Sequence, residues 1–263
     1  MVRFIFGTAL LALIFGVLQA WRPERNSTRA SWRVWGLDLS YWVLQPTLFK
    51  PFSRLAGILV AVPIALLQGR ALDESLADGF GPLAGLPIGA QVALVLVLAD
   101  LVGTLWHRVR HQGGILWRIH AIHHSSRHLD WLAAARLHPL DKMLTSALQT
   151  LVLLPLGFDL VAVGAALPAF GFYGLFVHAN VDFRFGWLRY LVATPAFHRW
   201  HHSPDVPGEG CNFAGLFPVW DLWMGTFHCP AKAPEAYGLR GDAPAERLWA
   251  QLTWPFRRRP VQG

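Results

Sequence analysis

Four apolar stretches dominate the pattern of hydrophobic and polar positions along the chain. They cover residues 4–20, 52–68, 86–106 and 143–177. The first three match the roughly 20 residues that an α-helix needs to cross the hydrocarbon layer of a bilayer. The fourth is about twice as long, and Pro155, Gly157 and Asp159 interrupt it near its middle. This stretch therefore predicts a hairpin of two helices that either spans the membrane or re-enters it.

The first stretch has two interpretations, a cleaved signal peptide or a retained anchor. Leu18 and Ala20 give only an imperfect small-x-small cleavage site, and further spans follow. These features favour a retained anchor. The predicted fold class is therefore an all-α integral membrane protein with three transmembrane helices and the helical hairpin.

The same pattern predicts three regions without a linker that would separate a second domain. Residues 1–85 form an N-terminal membrane anchor region with two transmembrane helices, residues 86–228 carry all twelve histidines, and residues 229–263 form a C-terminal tail. We expect the tail and a helical cap to lie in the cytosol.

Composition supports a membrane protein over other classes. The 263 residues are 54% hydrophobic and 15% charged, and 13 Trp accompany only 4 Tyr. Indole rings are common at the headgroup boundary of a bilayer. The composition rules out disorder and a disulfide scaffold. Cys211 and Cys229 form no CxxC pair, so a cysteine zinc site and an iron–sulfur site are also excluded.

The charged residues predict an orientation, because Lys and Arg near span ends favour the cytoplasm. The loop after the first stretch carries Arg22, Arg25, Arg29, Arg33 and Lys50, whereas the next loop has Arg70 against Asp73, Glu74 and Asp78. Further basic residues follow the third stretch: Arg108, Arg110, Arg118, Arg127, Arg136, Lys142 and Arg257, Arg258 and Arg259 in the tail. This distribution places the N-terminus outside and the chain from His107 onward in the cytoplasm, in what we expect to be a bacterial inner membrane. The net charge of +7 is then explained by topology and anionic lipid, and no nucleic-acid partner is expected.

Clustered histidines are the strongest chemical signal. Eleven of the twelve lie between His107 and His202, most of them in HRVRH, HAIHH and HRWHH. At about 100° per helical residue, the members of each cluster span about 100° or less, so we expect each cluster to face one point. Neutral imidazoles packed together without a cation have too few donors and acceptors to satisfy one another. Eight clustered nitrogens are twice what one tetrahedral zinc needs, so the clusters predict two metal ions, with iron and zinc both compatible.

Four further histidines and one carboxylate lie outside the three clusters. His178 follows the hairpin, which would return it to the same face as a ninth ligand. His128, His138 and His228 are predicted to have ordinary structural roles, although His128 and His138 remain open as contributors. Asp100 lies seven residues before His107 on the same helical face to within about 20°, so we expect its carboxylate to accept an N–H from a ligand histidine.

The order HxxxH, HxxHH, HxxHH resembles the fatty acid hydroxylase and sterol desaturase superfamily of integral-membrane di-iron oxygenases. The resemblance covers about residues 86–227 and includes HHSS (123–126), RLHP (136–139), FVHAN (176–180), TPAFHRWHHS (194–203) and WDLWMGTF (220–227). It implies a cytosolic helical cap that holds a di-metal site over the membrane helices. By resemblance, the metal ligands are His107, His111, His120, His123, His124, His178, His198, His201 and His202. Asn180 is a further candidate beside them, to hold a metal-bound water.

The resemblance implies hydroxylation or desaturation of an unactivated C–H bond of a lipid, with O2 and two iron ions. A fatty acyl chain, a sterol and a polar lipid are all open as substrates. No dinucleotide fingerprint or cysteine-rich domain is present, so electrons are expected from an external NAD(P)H-linked reductase or carrier. The oligomeric state stays open.

Two other functions are compatible with many histidines in a membrane protein. A membrane zinc hydrolase is disfavoured because HExxH is absent and no Glu lies within a cluster. A histidine-rich metal transporter is disfavoured because its sites usually lie at mid-membrane depth, whereas these clusters follow the spans.

Overall fold

The structure is a computed structural model that describes residues 2–24, 30–70, 78–80, 82–206 and 210–257. Six charged residues used in the orientation argument lie outside these ranges: Arg25, Arg29, Asp73, Glu74, Arg258 and Arg259. Within the described ranges, the predicted membrane orientation therefore depends on the other charged residues named above.

The described chain is helical, as predicted. Its α-helices are α1 Val2–Trp21, α2 Trp32–Leu44, α3 Lys50–Leu67, α4 Ile88–His111, α5 Gly114–His124, α6 Pro139–Leu153, α7 Leu160–His178, α8 Pro195–His201, α9 Val219–Met224 and α10 Leu248–Thr253. Within the described ranges there is no strand, and the nearest approach to one is a single bridge between Pro23 and Val181.

In the part of the chain that the structure describes, four helical segments are long and apolar enough to cross a membrane: Val2–Trp21, Trp32–Leu67, Ile88–His111 and Leu160–His178. Large apolar side chains on them point outward, with Phe6 73% and Leu59 66% exposed. Such exposure is what a lipid-facing surface requires and what a water-soluble bundle avoids. The chain is a membrane protein.

The second of these segments begins about 20 residues before the predicted start at Phe52. A π-helical turn, Gln45–Phe49, joins α2 to α3 in one helix of 36 residues. The helix starts at Ser31, whose hydroxyl accepts a hydrogen bond from the amide of Val34. At about 1.5 Å per residue it is about 54 Å long, well over the hydrocarbon thickness. Its first half is helical because it packs on protein, not because its sequence is continuously apolar.

The interruption in the fourth stretch ends one helix and starts another. α6 finishes in a 3₁₀ turn, Leu154–Leu156, then Gly157 takes a left-handed φ of 63°. Asp159 starts α7 by accepting a hydrogen bond from the Val161 amide at 2.6 Å. Both helices pack against α4, and α6 also packs on α3. Gln91, near the start of α4, accepts from the Asp159 amide at 2.9 Å, so the interruption lies beside that end of α4.

The opposite end of the bundle, which we call the histidine end, comprises the last turns of α4 and α7 with α5 and α8. The first half of the long helix and the C-terminal helix both pack there. Tyr41, Ile122 and Trp254 belong to one buried cluster, and Gln251 donates to the hydroxyl of Ser125 at 3.2 Å. Residues 248–256 of the predicted tail thus pack against α5.

Candidate metal centre

Nine histidines converge at the histidine end in two groups. The five-histidine group is His107, His111, His120, His124 and His201; the four-histidine group is His123, His178, His198 and His202. In each group the candidate ligand atoms all lie within 4.8 Å of one another. The two groups adjoin, since the rings of His124 and His202 are 4.5 Å apart between centroids. The set is the same nine residues that the resemblance implied.

Each HxxHH cluster is divided between the groups, contrary to the expectation that a cluster faces one point. His120 and His124 join one group while His123 joins the other. On α8, His198 and His202 join one group while His201 joins the other. The reason is helical geometry: residues four apart are rotated by about 40°, whereas adjacent residues are rotated by about 100°.

Local turns bring these helices together. Gly113 and Gly114, with φ of 100° and 65°, form the tight turn between α4 and α5, so the end of α4 faces α5. α8 begins at Thr194, whose hydroxyl accepts a hydrogen bond from the Phe197 amide at 3.1 Å, and Pro195 occupies its first position.

The histidines outside the spanning helices are held in the neutral form. Burial, aided by neighbouring imidazoles, lowers the pKa of His120 and that of His124 well below the usual range, and Arg110 adds to the shift of His120. The same causes lower the pKa of His201 to about 3, although its bond to the Cys211 carbonyl opposes the shift. The pKa values of the rest of this set are also well below normal, for His123, His198 and His202. Neutral imidazole is the form that binds a metal.

Five of the nine histidines are anchored through Nδ1 to an oxygen acceptor. The pairs are His107 to the Phe213 carbonyl at 2.8 Å, His120 to Asp141 Oδ2 at 2.8 Å, His123 to the Arg136 carbonyl at 3.3 Å, His178 to the Gly174 carbonyl at 2.6 Å and His201 to the Cys211 carbonyl at 2.8 Å. An oxygen can only accept, so in each neutral ring Nδ1 carries the proton and Nε2 carries a lone pair. This is the second interaction that metal-binding histidines usually make.

The inward nitrogens of the anchored rings fit a cation and cannot satisfy one another. Nε2 of His178 lies 3.1 Å from Nε2 of His123, and neither has a proton to donate. In the five-histidine group, Nε2 of His107 and of His201 has no hydrogen-bond partner. Buried lone pairs that face one another are unfavourable unless a positive charge lies between them. The donor set is therefore right for two imidazole-bound ions, and both iron and zinc accept such ligands.

The expectation that Asp100 accepts an N–H from a ligand histidine is wrong. Its carboxylate accepts from the amides of Gly215, Leu216 and Phe217 and from the indole of Trp220, at 2.8–3.0 Å. His107 instead donates to the backbone of the same segment. Any effect of Asp100 on the histidines must pass through that segment, because the carboxylate is fully engaged with it.

Asn180 and the remaining histidines lie around the two groups. Asn180 Oδ1 accepts from Arg199 at 3.0 Å, and the backbone N–H of Asn180 donates to the side-chain oxygen of Gln19. His138 Nε2 donates to the carbonyl of Leu252. Among the described residues, His128, His138 and His228 belong to neither group.

Sequence reasoning missed Asp141. It is buried, accepts from Nδ1 of His120 and forms an ion pair with Arg110. An acidic residue in the first turn of an apolar helix was a usable signal, yet it lies 21 residues from His120 and no local spacing rule joins the two. The backbone acceptors carry no signal in the sequence at all.

A cavity of about 390 Å³ reaches both groups from the surface of the histidine end. Its lining includes His111, His124, His201 and His202, with Trp117 and Trp254 among the walls. It offers a route to the candidate metal centre that does not pass between the spanning helices.

Comparison with known proteins defines the class. A sequence model of the fatty acid hydroxylase family matches residues 92–226, about half of the chain, which includes all nine histidines. The chain belongs to the fatty acid hydroxylase family.

Particular relatives are lipid oxygenases by name. The chain is 36% identical over 181 residues to the ornithine lipid hydroxylase OlsE of Rhizobium tropici, covering 66% of this chain and 52% of that protein. It is 27% identical over 158 residues to alkylglycerol monooxygenase of Danio rerio, covering 59% and 35%, and 29% identical over 126 residues to the human protein of that name, covering 48% and 28%. The chain thus spans about half of the first of these relatives and about a third of the others. No solved structure matches.

Proposed function

We propose that this protein is a membrane-bound lipid hydroxylase that uses two iron ions, O2 and electrons from an external NAD(P)H-linked reductase or carrier. The observation that carries the proposal is the pair of histidine groups, in which anchored rings turn their lone pairs to a common centre at the end of apolar helices. Membership of the fatty acid hydroxylase family and the activities named for the relatives support lipid as the substrate class.

The protein's own residues would orient and shield the metals. The Nδ1 bonds of His107 and His201 fix ring orientation and tautomer before any metal binds. Eight of the nine rings are buried, and His111 is partly exposed. This burial limits the access of bulk water to the two groups. Iron bound in these groups would supply the activation of O2 and the removal of hydrogen from an unactivated carbon.

In hydroxylation, one C–H bond, one O2, two electrons and two protons are consumed, and one alcohol and one water are formed. The two electrons must come from outside the chain. Desaturation would consume the same electrons and yield an alkene with two waters. The relatives' names, hydroxylase and monooxygenase, favour the alcohol.

The test is oxygen-dependent oxidation of lipid by purified protein. Protein loaded with iron and reconstituted in vesicles of bacterial lipid extract is given a reductant under air, and lipids are followed by mass spectrometry. We expect species heavier by one oxygen, absent without O2. A set of species lighter by two hydrogens would establish desaturation instead.

Variants then assign the centre. His123→Ala and His201→Ala, one from each group, should abolish product without changing membrane insertion. His128→Ala, outside both groups, serves as the matched control and should keep product formation. Redox-silent zinc with lipid hydrolysis would instead support the hydrolase, and exchangeable metal without turnover would support the transporter.

A further inference from the structure

One short segment, residues 211–217, meets the five-histidine group through its carbonyls. The Cys211 carbonyl accepts from His201 and the Phe213 carbonyl accepts from His107, both at 2.8 Å. These two acceptors are only two residues apart in the chain. We call residues 211–217 the template segment.

The amides of the template segment are held by two buried carboxylates. Asp221 accepts from the amides of Phe213 and Ala214, both at 2.8 Å. Asp100 accepts from the next three amides, at 2.8–3.0 Å. Five consecutive N–H groups therefore end on two side chains, and both side chains are fully buried.

Further contacts hold each carboxylate and the start of the segment. The Trp220 indole donates to Asp100 at 3.0 Å, and the Thr226 hydroxyl donates to Asp221 at 2.6 Å. Asn212, with a left-handed φ of 57°, donates from its side chain to the carbonyls of Phe197 and His228. The segment is thus fixed in a conformation that is neither helix nor strand.

The position of the segment explains why carboxylates are needed. Asp100 lies seven residues before His107 on α4, about 10 Å along the helix axis toward the far end of the bundle. A Cβ at Gly215 would lie 3.0 Å from the Phe170 ring of α7 and 3.3 Å from Asp100 Oδ1, so the backbone packs closely between two helices that can span a membrane. Irregular backbone at such a depth must find its hydrogen bonds within the protein.

The two anchored rings of the four-histidine group have their acceptors elsewhere. His123 donates to the Arg136 carbonyl, and His178 donates to the Gly174 carbonyl within its own helix. Neither acceptor belongs to the template segment. A change confined to that segment should therefore act on one group and spare the other.

We propose that Asp100 and Asp221 are positioning residues for one metal site: by fixing the template segment, they set the rings of His107 and His201 and so control metal retention in the five-histidine group alone. This inference rests on the proposed function in taking the two groups as metal sites, and it adds a division of labour between them. The direct contact expected between Asp100 and a ligand histidine is thus replaced by an indirect one, through the backbone of the template segment.

The experiment is a titration of metal-free, detergent-purified full-length protein with Co²⁺ alone, followed by absorbance and calorimetry. Wild type should bind two Co²⁺ per chain. Asp100→Asn and Asp221→Asn should each keep one site at wild-type affinity and weaken the other about 10- to 100-fold, the usual effect of removing a group that orients a ligand. Asp159→Asn is the matched control, since that carboxylate also caps a backbone amide but at the far end of the bundle.

Milder variants guard against loss of the fold. Trp220→Phe and Thr226→Val each remove one hydrogen bond from a carboxylate and should weaken the same single site by a smaller factor. A carboxylate that only stabilised the fold would lower both affinities together with the thermal unfolding temperature. Equal weakening of both sites, or unchanged binding in Asp100→Asn, would overturn the inference.

The outcomes separate this inference from the proposed function. Wild type that binds two Co²⁺ and loses one site selectively in the variants, yet never oxidises lipid when loaded with iron, would end the proposed function and keep the inference. Normal lipid oxidation with no selective loss would do the reverse.

Discussion

At the scale of single residues, the nine histidines differ in what holds them. His120 donates to the carboxylate of Asp141, whereas the other four anchored rings donate to backbone carbonyls. A charged acceptor makes a stronger hydrogen bond and a more basic ligand than a neutral one. Arg110 balances the charge of Asp141 from its other side.

Asp141→Asn is therefore expected to weaken metal binding in the five-histidine group about 10- to 100-fold. The amide keeps one accepting oxygen but places N–H donors where Arg110 or His120 already donates. Metal affinity measured by titration of metal-free protein checks this. Asp182→Asn is the control, because that partly exposed carboxylate pairs with Arg184 and contacts no histidine in the two groups. Unchanged affinity would show that the carboxylate does not tune His120.

The buried ion pair of Asp38 and Arg136 supports His123 indirectly, because the Arg136 carbonyl accepts from that ring. Asp38→Ala would leave a fully buried guanidinium without its carboxylate and should destabilise the protein by about 3–5 kcal/mol. Asp182→Ala removes the partly exposed partner of Arg184 and should cost about 0–1 kcal/mol. Unfolding in detergent, followed by tryptophan fluorescence, measures the loss of stability in each variant. Equal losses would contradict the structural role given to the Asp38–Arg136 ion pair.

The candidate ligand histidines could be predicted from the sequence, but their hydrogen-bond partners could not. Histidine clusters are visible because imidazoles at helical spacing are rare and chemically distinct. The acceptor for His107 is a carbonyl 106 residues away, and every residue has a carbonyl. Only the folded chain shows which one is used, and this is why Asp100 was expected to bind a ring and instead binds amides.

At the scale of elements, the interruption between α6 and α7 was predictable from residue chemistry. Pro155 cannot continue a helix, Gly157 tolerates a left-handed φ and Asp159 caps the next helix. The start of the long helix was missed because its first half is stabilised by tertiary packing. Leu37 and Tyr41 are buried against residues more than 75 positions away, so local hydropathy underestimated them.

Gly157→Ala is expected to destabilise the protein by about 1–2 kcal/mol, because a side chain disfavours the left-handed conformation. Gly164→Ala is the matched control inside α7, where a Cβ meets nothing within 4 Å, and should be neutral or stabilising by up to about 1 kcal/mol. Thermal unfolding of both variants in detergent checks the contrast. A loss in Gly164→Ala as large as in Gly157→Ala would tell against the φ argument.

At the scale of the whole molecule, we expect the histidine end to face the cytoplasm and the turn before α4 to face the opposite side. After Cys211 and Cys229 are replaced by Ser, Arg127→Cys and Gly85→Cys place single exposed thiols at the two ends. In inverted inner-membrane vesicles, a membrane-impermeant maleimide should label position 127 and spare position 85. The reverse pattern would show that the charge argument gives the wrong orientation.

Hydropathy predicted that the chain is helical and enters a membrane, since lipid imposes a simple rule on length and composition. It could not predict that α6 and α7 both pack on α4, because apolar helix faces are alike in sequence and differ only in shape. The division of each HxxHH cluster between two groups also depends on which helices lie on either side.

The cluster of Tyr41, Ile122 and Trp254 has a practical consequence for anyone dissecting the protein. The stretch that matches the family, residues 92–226, supplies every clustered histidine but only Ile122 of these three. A fragment trimmed to residues 92–226 would carry all nine histidines, but its α5 would lack the packing of Tyr41 and Trp254, and Ser125 would lack the hydrogen bond from Gln251. If the proposed metal sites are real, such a fragment should aggregate or lose metal even though it keeps all nine candidate ligands.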